Sequence, residues 1–248
     1  MKAPDSSHEA GPDPVLGAAA VAAFAMASLA GVRGSDTGNH ILRVQNYVRI
    51  LAQRLQAHPR FAAALTEPYI RVLFQSAPLH DMGTIGIPDR ILLKPSSLTP
   101  AEFAIVKTHP TLARDVIEYA EKALGYQASL LRTLKELAFS HHEKWDGSGY
   151  PQGLSEEHIP LSARLLAIAD VYDALISDRV YRAGLPHDQA VAIIFQGRAS
   201  HFDPDMVDTF IEIQDEFQAI AQRYADSEVD MQKKMEYMAN AIAEEAEL

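Results

Sequence analysis

Apolar residues recur at three- and four-residue intervals along nearly the whole chain. That period belongs to amphipathic helices, and no run alternates apolar and polar as a half-buried strand would. Val15 to Ala30 is an uncharged run of small and apolar residues, read as a buried first helix that Gly31 and Gly34 stop. Ile41, Val44, Tyr47, Val48 and Leu51 mark one face of a second helix. Phe61 to Phe74 gives a third, interrupted near Pro68. Thr99-Pro100-Ala101-Glu102 spells a capping box with proline at the first helical position, opening a helix toward Lys107. Pro110 restarts the chain, and Leu112, Val116, Ile117 and Ala120 carry a helix to about Leu124. Another covers Ala128 to His142.

Gly147, Gly149, Pro151 and Gly153 then predict a loop of defined turns. Pro160 opens the helix that carries Asp170. Asp203-Pro204 caps a helix through Val207, Phe210 and Ile211. Met231 to Leu248 forms an acidic helix, a solvated or packing element or a partner-binding one. The expected class is all-α, a multi-helix bundle able to host a metal cluster between its helices. The chain divides into a disordered segment at 1–14, one domain at 15–222 and an acidic C-terminal helix at 223–248.

Composition narrows the chemistry. The 248 residues include no cysteine, so disulfides, thiolate zinc sites and iron–sulfur ligation are excluded and a reducing cytoplasm is expected. The net charge of −11 argues against a nucleic-acid polymer as partner. An anionic substrate would need metal ions or specific arginines. The first apolar run is short and Ala-rich, which argues against membrane insertion.

The candidate chemistry lies in histidines and aspartates. His80-Asp81 sits inside an apolar segment, where a charged pair needs a compensating partner such as a metal ion. On a helix the two would point about 100° apart, able to serve different ions or to let the carboxylate bridge. His141-His142 ends the apolar run Leu134, Leu137, Ala138, Phe139. Asp170 lies between Ile168, Ala169 and Val171, where a salt bridge would serve as well as a metal. Asp36 and His40 are four apart, on one helix face, as ligands or as a surface pair. His109 precedes Pro110 and a helix start.

Taken in order, these words resemble the HD-GYP family, a branch of the HD-domain phosphohydrolases. His80-Asp81 is similar to its HD word and Gly149-Tyr150-Pro151 to its GYP word. The strings Asp36 to His40, Ala77 to Gly83, His141 to Pro151, Ile168 to Leu175 and His201 to Pro204 are similar too. The likeness runs from about Asp36 to Phe210, and is greatest to the version found behind receiver domains, for which the segment ahead of Asp36 leaves no room.

The resemblance implies metal-dependent hydrolysis of cyclic di-GMP to pGpG or GMP, with two or three iron or manganese ions as cofactors. The implied metal ligands are His40, His80, Asp81, His109, His141, His142 and Asp170. His80, Asp81, His109, His141, His142 and Asp170 would make the binuclear set, with two ions sharing Asp81. His40 and Asp36 would form a third position, Asp36 standing where a glutamate is usual. Arg179 and Arg182 fall on positions that face phosphate and guanine. Tyr150 either approaches substrate or holds its loop. The family's usual lysine, near the scissile phosphate, is replaced by Thr84, which supplies no positive charge. Two alternatives follow: a weakened receptor that binds cyclic di-GMP without turnover, or a phosphohydrolase of another nucleotide. Regulatory input would come from a homodimer, a partner protein or metal redox state.

Overall fold

The structure, a computed structural model, describes residues 14–33, 38–94, 96–125, 129–178 and 183–246. Among them there is no strand, only an isolated bridge between Arg198 and Phe202. The helices are α1 (Pro14–Arg33), α2 (Gly38–Leu55), α3 (Glu67–Ser76), α4 (Asp89–Leu92), α5 (Pro100–Val106), α6 (His109–Leu124), α7 (Ser129–Ser140), α8 (Leu161–Ile176), α9 (His187–Gln196), α10 (Pro204–Glu212), α11 (Gln214–Arg223) and α12 (Glu228–Ala246). Segments 77–79 and 82–86 are tight 3-10 turns.

The core forms where α2 and α8 cross. Val44, Tyr47, Val48, Leu51 and Leu55 of α2 are fully buried, at the spacing of one helical face. Leu165, Leu166, Ile168, Ala169 and Tyr172 of α8 meet them. α8 is buried on most of its circumference, which is why its sequence is apolar nearly all round. Phe210 of α10 and Phe217 of α11 close the cluster, and the Tyr47 and Phe217 rings stack at 4.6 Å.

Several expectations change. α1 is not a buried helix. Ala27 and Ala30 are buried, but Val21, Phe24, Met26 and Leu29 are exposed, so only one stripe of this apolar helix packs. The helix also runs through Gly31 to Arg33. Phe61 to Phe74 is not one interrupted helix. Residues 57–64 form turns, Thr66 caps α3, and Pro68 lies in its first turn, where proline costs nothing. α7 ends at Ser140, so His141 and His142 follow the helix rather than belong to it. α9 and α11 were not expected, and the acidic helix begins at Glu228, three residues before Met231, while Arg223 ends α11.

The Thr99 cap forms as the sequence spells it. Thr99 Oγ1 accepts from the Glu102 N–H, and Glu102 accepts from the Thr99 N–H at 2.7 Å. Asp203 caps α10 by accepting from the Asp205 N–H, and its buried carboxylate also accepts from Arg164 at 2.7 Å. No helix among the described residues is long and apolar enough to cross a membrane.

Candidate metal centre

Five separate segments deliver the candidate ligands to one cleft. His40 comes from the first turn of α2 and Asp170 from the middle of α8. His80 and Asp81 lie between the two 3-10 turns. His109 begins α6, and His141 and His142 leave α7. The HD pair therefore sits in a turn, not on a helix face. Pro78 and Gly83 shape that turn. A Cβ at Gly83 would stand 2.0 Å from the His109 carbonyl oxygen, so glycine is what lets this turn lie against α6.

The side chains form two groups whose ligand atoms lie within 4.8 Å of one another: Asp81, His109, His141 and His142; and His40, His80 and Asp170. Asp81 joins them. Its Oδ1 lies 3.2 Å from His109 Nε2 and 3.4 Å from His141 Nε2, while its Oδ2 lies 3.4 Å from His80 Nε2. Asp170 Oδ1 stands 3.7 Å from His80 Nε2 and 4.0 Å from His40 Nε2. His40 thus lies in the second group with His80 and Asp170. Asp36, Arg179 and Arg182 lie outside the described residues.

Support from behind sets the chemistry of the rings. His80 Nδ1 donates to the Ala77 carbonyl at 2.9 Å, His109 Nδ1 to Val106 at 2.8 Å and His141 Nδ1 to Ala138 at 3.0 Å. His40 Nδ1 donates instead to the Asp173 carboxylate at 2.8 Å, which Arg43 Nε also reaches at 2.6 Å. With the proton on Nδ1, each Nε2 turns a lone pair into the cleft. Lone pairs then face carboxylate oxygens at close range. Asp81 Oδ1 and His80 Nε2 are buried and hydrogen-bonded to nothing among the described residues. Divalent cations between these atoms resolve that conflict, so the donor set fits metal ions.

The alternative occupant is a proton. Burial opposes charge on His80, but the Asp81 and Asp170 carboxylates overcome it and raise its pKa to about 10. Burial also opposes the Asp81 charge, yet the His80, His109 and His141 imidazoles hold it well below the carboxylate range. Burial lowers His141, and burial with its ring neighbours lowers His142 further, leaving both neutral as ligands require.

The loop after α7 closes one wall. The His142 and Tyr150 rings stack at 4.7 Å. Burial and the Asp81 and Asp170 charges raise the Tyr150 pKa, so the phenol stays neutral. Gly149 lies against the 142–144 backbone, where a Cβ would meet Lys144 N at 2.3 Å. The buried Glu143 carboxylate accepts from the Gln152 and Leu154 N–H groups at 2.7 and 3.0 Å and ties the loop back. Glu143, Asp173 and Arg43 are functional supports that sequence reasoning missed. The pairing of Arg43 and His40 with Asp173 crosses from α2 to α8 and leaves no local signal.

The cleft has a volume of about 290 Å³, and Thr84 lines it with His40, His80, Asp81, His109, His142 and Asp170. The Thr84 hydroxyl donates to the Asp81 carbonyl at 2.7 Å. It is spent on the turn and brings no charge to the cleft.

An HD domain family model matches residues 35–206. The chain belongs to the HD domain family. Two relatives come from Vibrio cholerae serotype O1. A "Probable cyclic di-GMP phosphodiesterase" is 53% identical over 84% of this chain and 47% of its own length. A "Cyclic di-GMP phosphodiesterase" is 50% identical over 84% of this chain and 42% of its own. A third Vibrio cholerae relative, "3'3'-cGAMP-specific phosphodiesterase 2", is 37% identical over 79% of this chain and 35% of its own. The HD-domain chain thus spans less than half the length of these relatives.

Proposed function

We propose that this chain hydrolyses the phosphodiester bonds of cyclic di-GMP to pGpG or GMP, using two divalent ions, and so lowers a second messenger in the bacterial cytoplasm. The observation that carries this reading is Asp81, which offers one oxygen to each of two imidazole groups. A carboxylate shared in this way suits a pair of ions acting on one phosphoryl group. The names of the relatives supply the substrate.

His109, His141 and His142 with Asp81 would hold one ion, and His40, His80 and Asp170 with Asp81 the other. Mixed imidazole and carboxylate donors without thiolate suit iron or manganese. Ions held there supply Lewis acidity, making a nucleophile from water at neutral pH and neutralising phosphoryl charge. The protein's part is to fix the ligands. Backbone carbonyls and Asp173 orient the rings, the Gly83 turn sets the HD pair, and Glu143 holds the loop that places Tyr150 against His142. Arg179 and Arg182 would pair with the phosphates, as the family resemblance implies. Asp36 would decide whether a third ion binds.

A second reading rests on Thr84. With its hydroxyl committed to Asp81, position 84 gives no cation to the leaving oxygen, which favours a slow enzyme or a receptor. Protein purified without oxygen and loaded with iron or manganese separates these readings when given cyclic di-GMP and 3'3'-cGAMP. The proposal expects linear product from cyclic di-GMP. Binding without product would replace it with the receptor, and product from 3'3'-cGAMP alone would replace the substrate.

A further inference from the structure

Lys107 occupies the turn between α5 and α6, two residues before His109. Its ammonium lies 4.9 Å from the centre of the Phe103 ring and 4.9 Å from the centre of the Tyr150 ring. Both rings line the metal cleft. Phe103 is 45% exposed, although it is a large apolar side chain. Lys107 is exposed as well, and makes no ion pair with a carboxylate among the described residues. The two rings hold the ammonium over the cleft mouth by cation–π attraction. The cleft lining itself carries the Asp81 and Asp170 carboxylates and, among the described residues, no lysine or arginine. The Lys107 ammonium, held against two rings of that lining, offers an anionic substrate a positive charge at the rim.

We infer that Phe103, Lys107 and Tyr150 form a subsite for the half of the cyclic dinucleotide that is not being cleaved. This inference rests on the proposed substrate. The metal groups take the scissile phosphate. The Lys107 ammonium meets the second phosphate, and the exposed Phe103 face stacks a purine, since every base offers a π-face to an aromatic ring. The α5–α6 turn couples this subsite to the metal centre. Val106 accepts from His109 Nδ1 at 2.8 Å, so the turn that aims Lys107 also orients a ligand.

The test compares cyclic di-GMP with bis(p-nitrophenyl) phosphate, a small diester that has no second half. The readout is the ratio of their kcat/KM values, with metal content measured on the same samples. Lys107→Met keeps the aliphatic stem and should lower the ratio about tenfold, mostly through KM, as expected for one charged hydrogen bond. Phe103→Ala should also lower it, and Lys107→Arg should restore it. Lys107→Met should flatten the rise of KM with salt. An unchanged ratio in Lys107→Met, or equal losses on both substrates, would overturn the subsite. Wild-type protein that cleaves the small diester and no cyclic dinucleotide would overturn the proposed substrate and the subsite with it.

Discussion

His40 is oriented by a carboxylate, whereas His80, His109 and His141 are each oriented by a backbone carbonyl three residues earlier. A carbonyl cannot be removed by substitution, but Asp173 can. Asp173→Asn weakens the grip on the His40 ring and should cost roughly 10- to 100-fold in metal affinity. A chelator competition titration with manganese measures it; unchanged affinity would show that His40 is not a ligand. Gly83→Ala acts at the neighbouring turn. Its Cβ would clash with the His109 carbonyl, which is backbone and cannot swing aside. Overpacking of this kind costs about 1–3 kcal/mol or more, and here it should also lower metal content. Wild-type metal content with a wild-type denaturation midpoint would refute the close approach.

At the scale of elements, α5 leads into Lys107 and is built by its N-terminal cap. Bonds from Lys94 and from the Thr99 N–H and hydroxyl hold Glu102 at about 2, below its ordinary value near 4.5. A depressed carboxylate stabilises the fold fully above its unfolded pKa, and that support is lost as pH falls toward 2. Glu102→Gln should therefore remove the acid-sensitive step between about pH 4.5 and 2 in the amide exchange of α5. An identical acid profile in the variant would show that the cap does not control α5. This element was legible in the sequence because a capping box is a four-residue pattern with local partners. The HD pair was legible in identity and misplaced in conformation. A helical period was projected onto residues that Pro78, Gly83 and Gly86 hold in tight turns. The seven candidate ligands, which the fold brings to one cleft, were legible as words. Their division into two groups was not, because it depends on where α2, α6 and α8 cross. Asp173 was hidden for the same reason, its partners being 130 and 133 residues away.

At the scale of the whole molecule, the first and last helices meet beside the cleft. Lys234 of α12 is 7% exposed and donates to the Gly31 carbonyl of α1 at 3.1 Å. Gly31, Ala27 and Ala30 line the cleft, so α12 braces one of its walls. Lys234→Met should cost on the order of 1 kcal/mol, from the charged donor lost at the part-buried Gly31 carbonyl. For a chain of this length that lowers Tm by about 2–4 °C per kcal/mol. A melting point equal to wild type would show that the brace carries no load. The apolar run of α1 reads as buried from its sequence, yet it packs by a single stripe, because burial depends on which helices arrive to cover a face.

The two-group centre joined by Asp81 is the central claim, and metal stoichiometry tests it most directly. Protein purified without oxygen and loaded with iron or manganese should contain at least two ions per chain by mass spectrometry. Asp81→Ala should retain at most one and lose turnover of cyclic di-GMP. An Asp81→Ala protein that keeps the full complement of ions and full turnover would contradict the account.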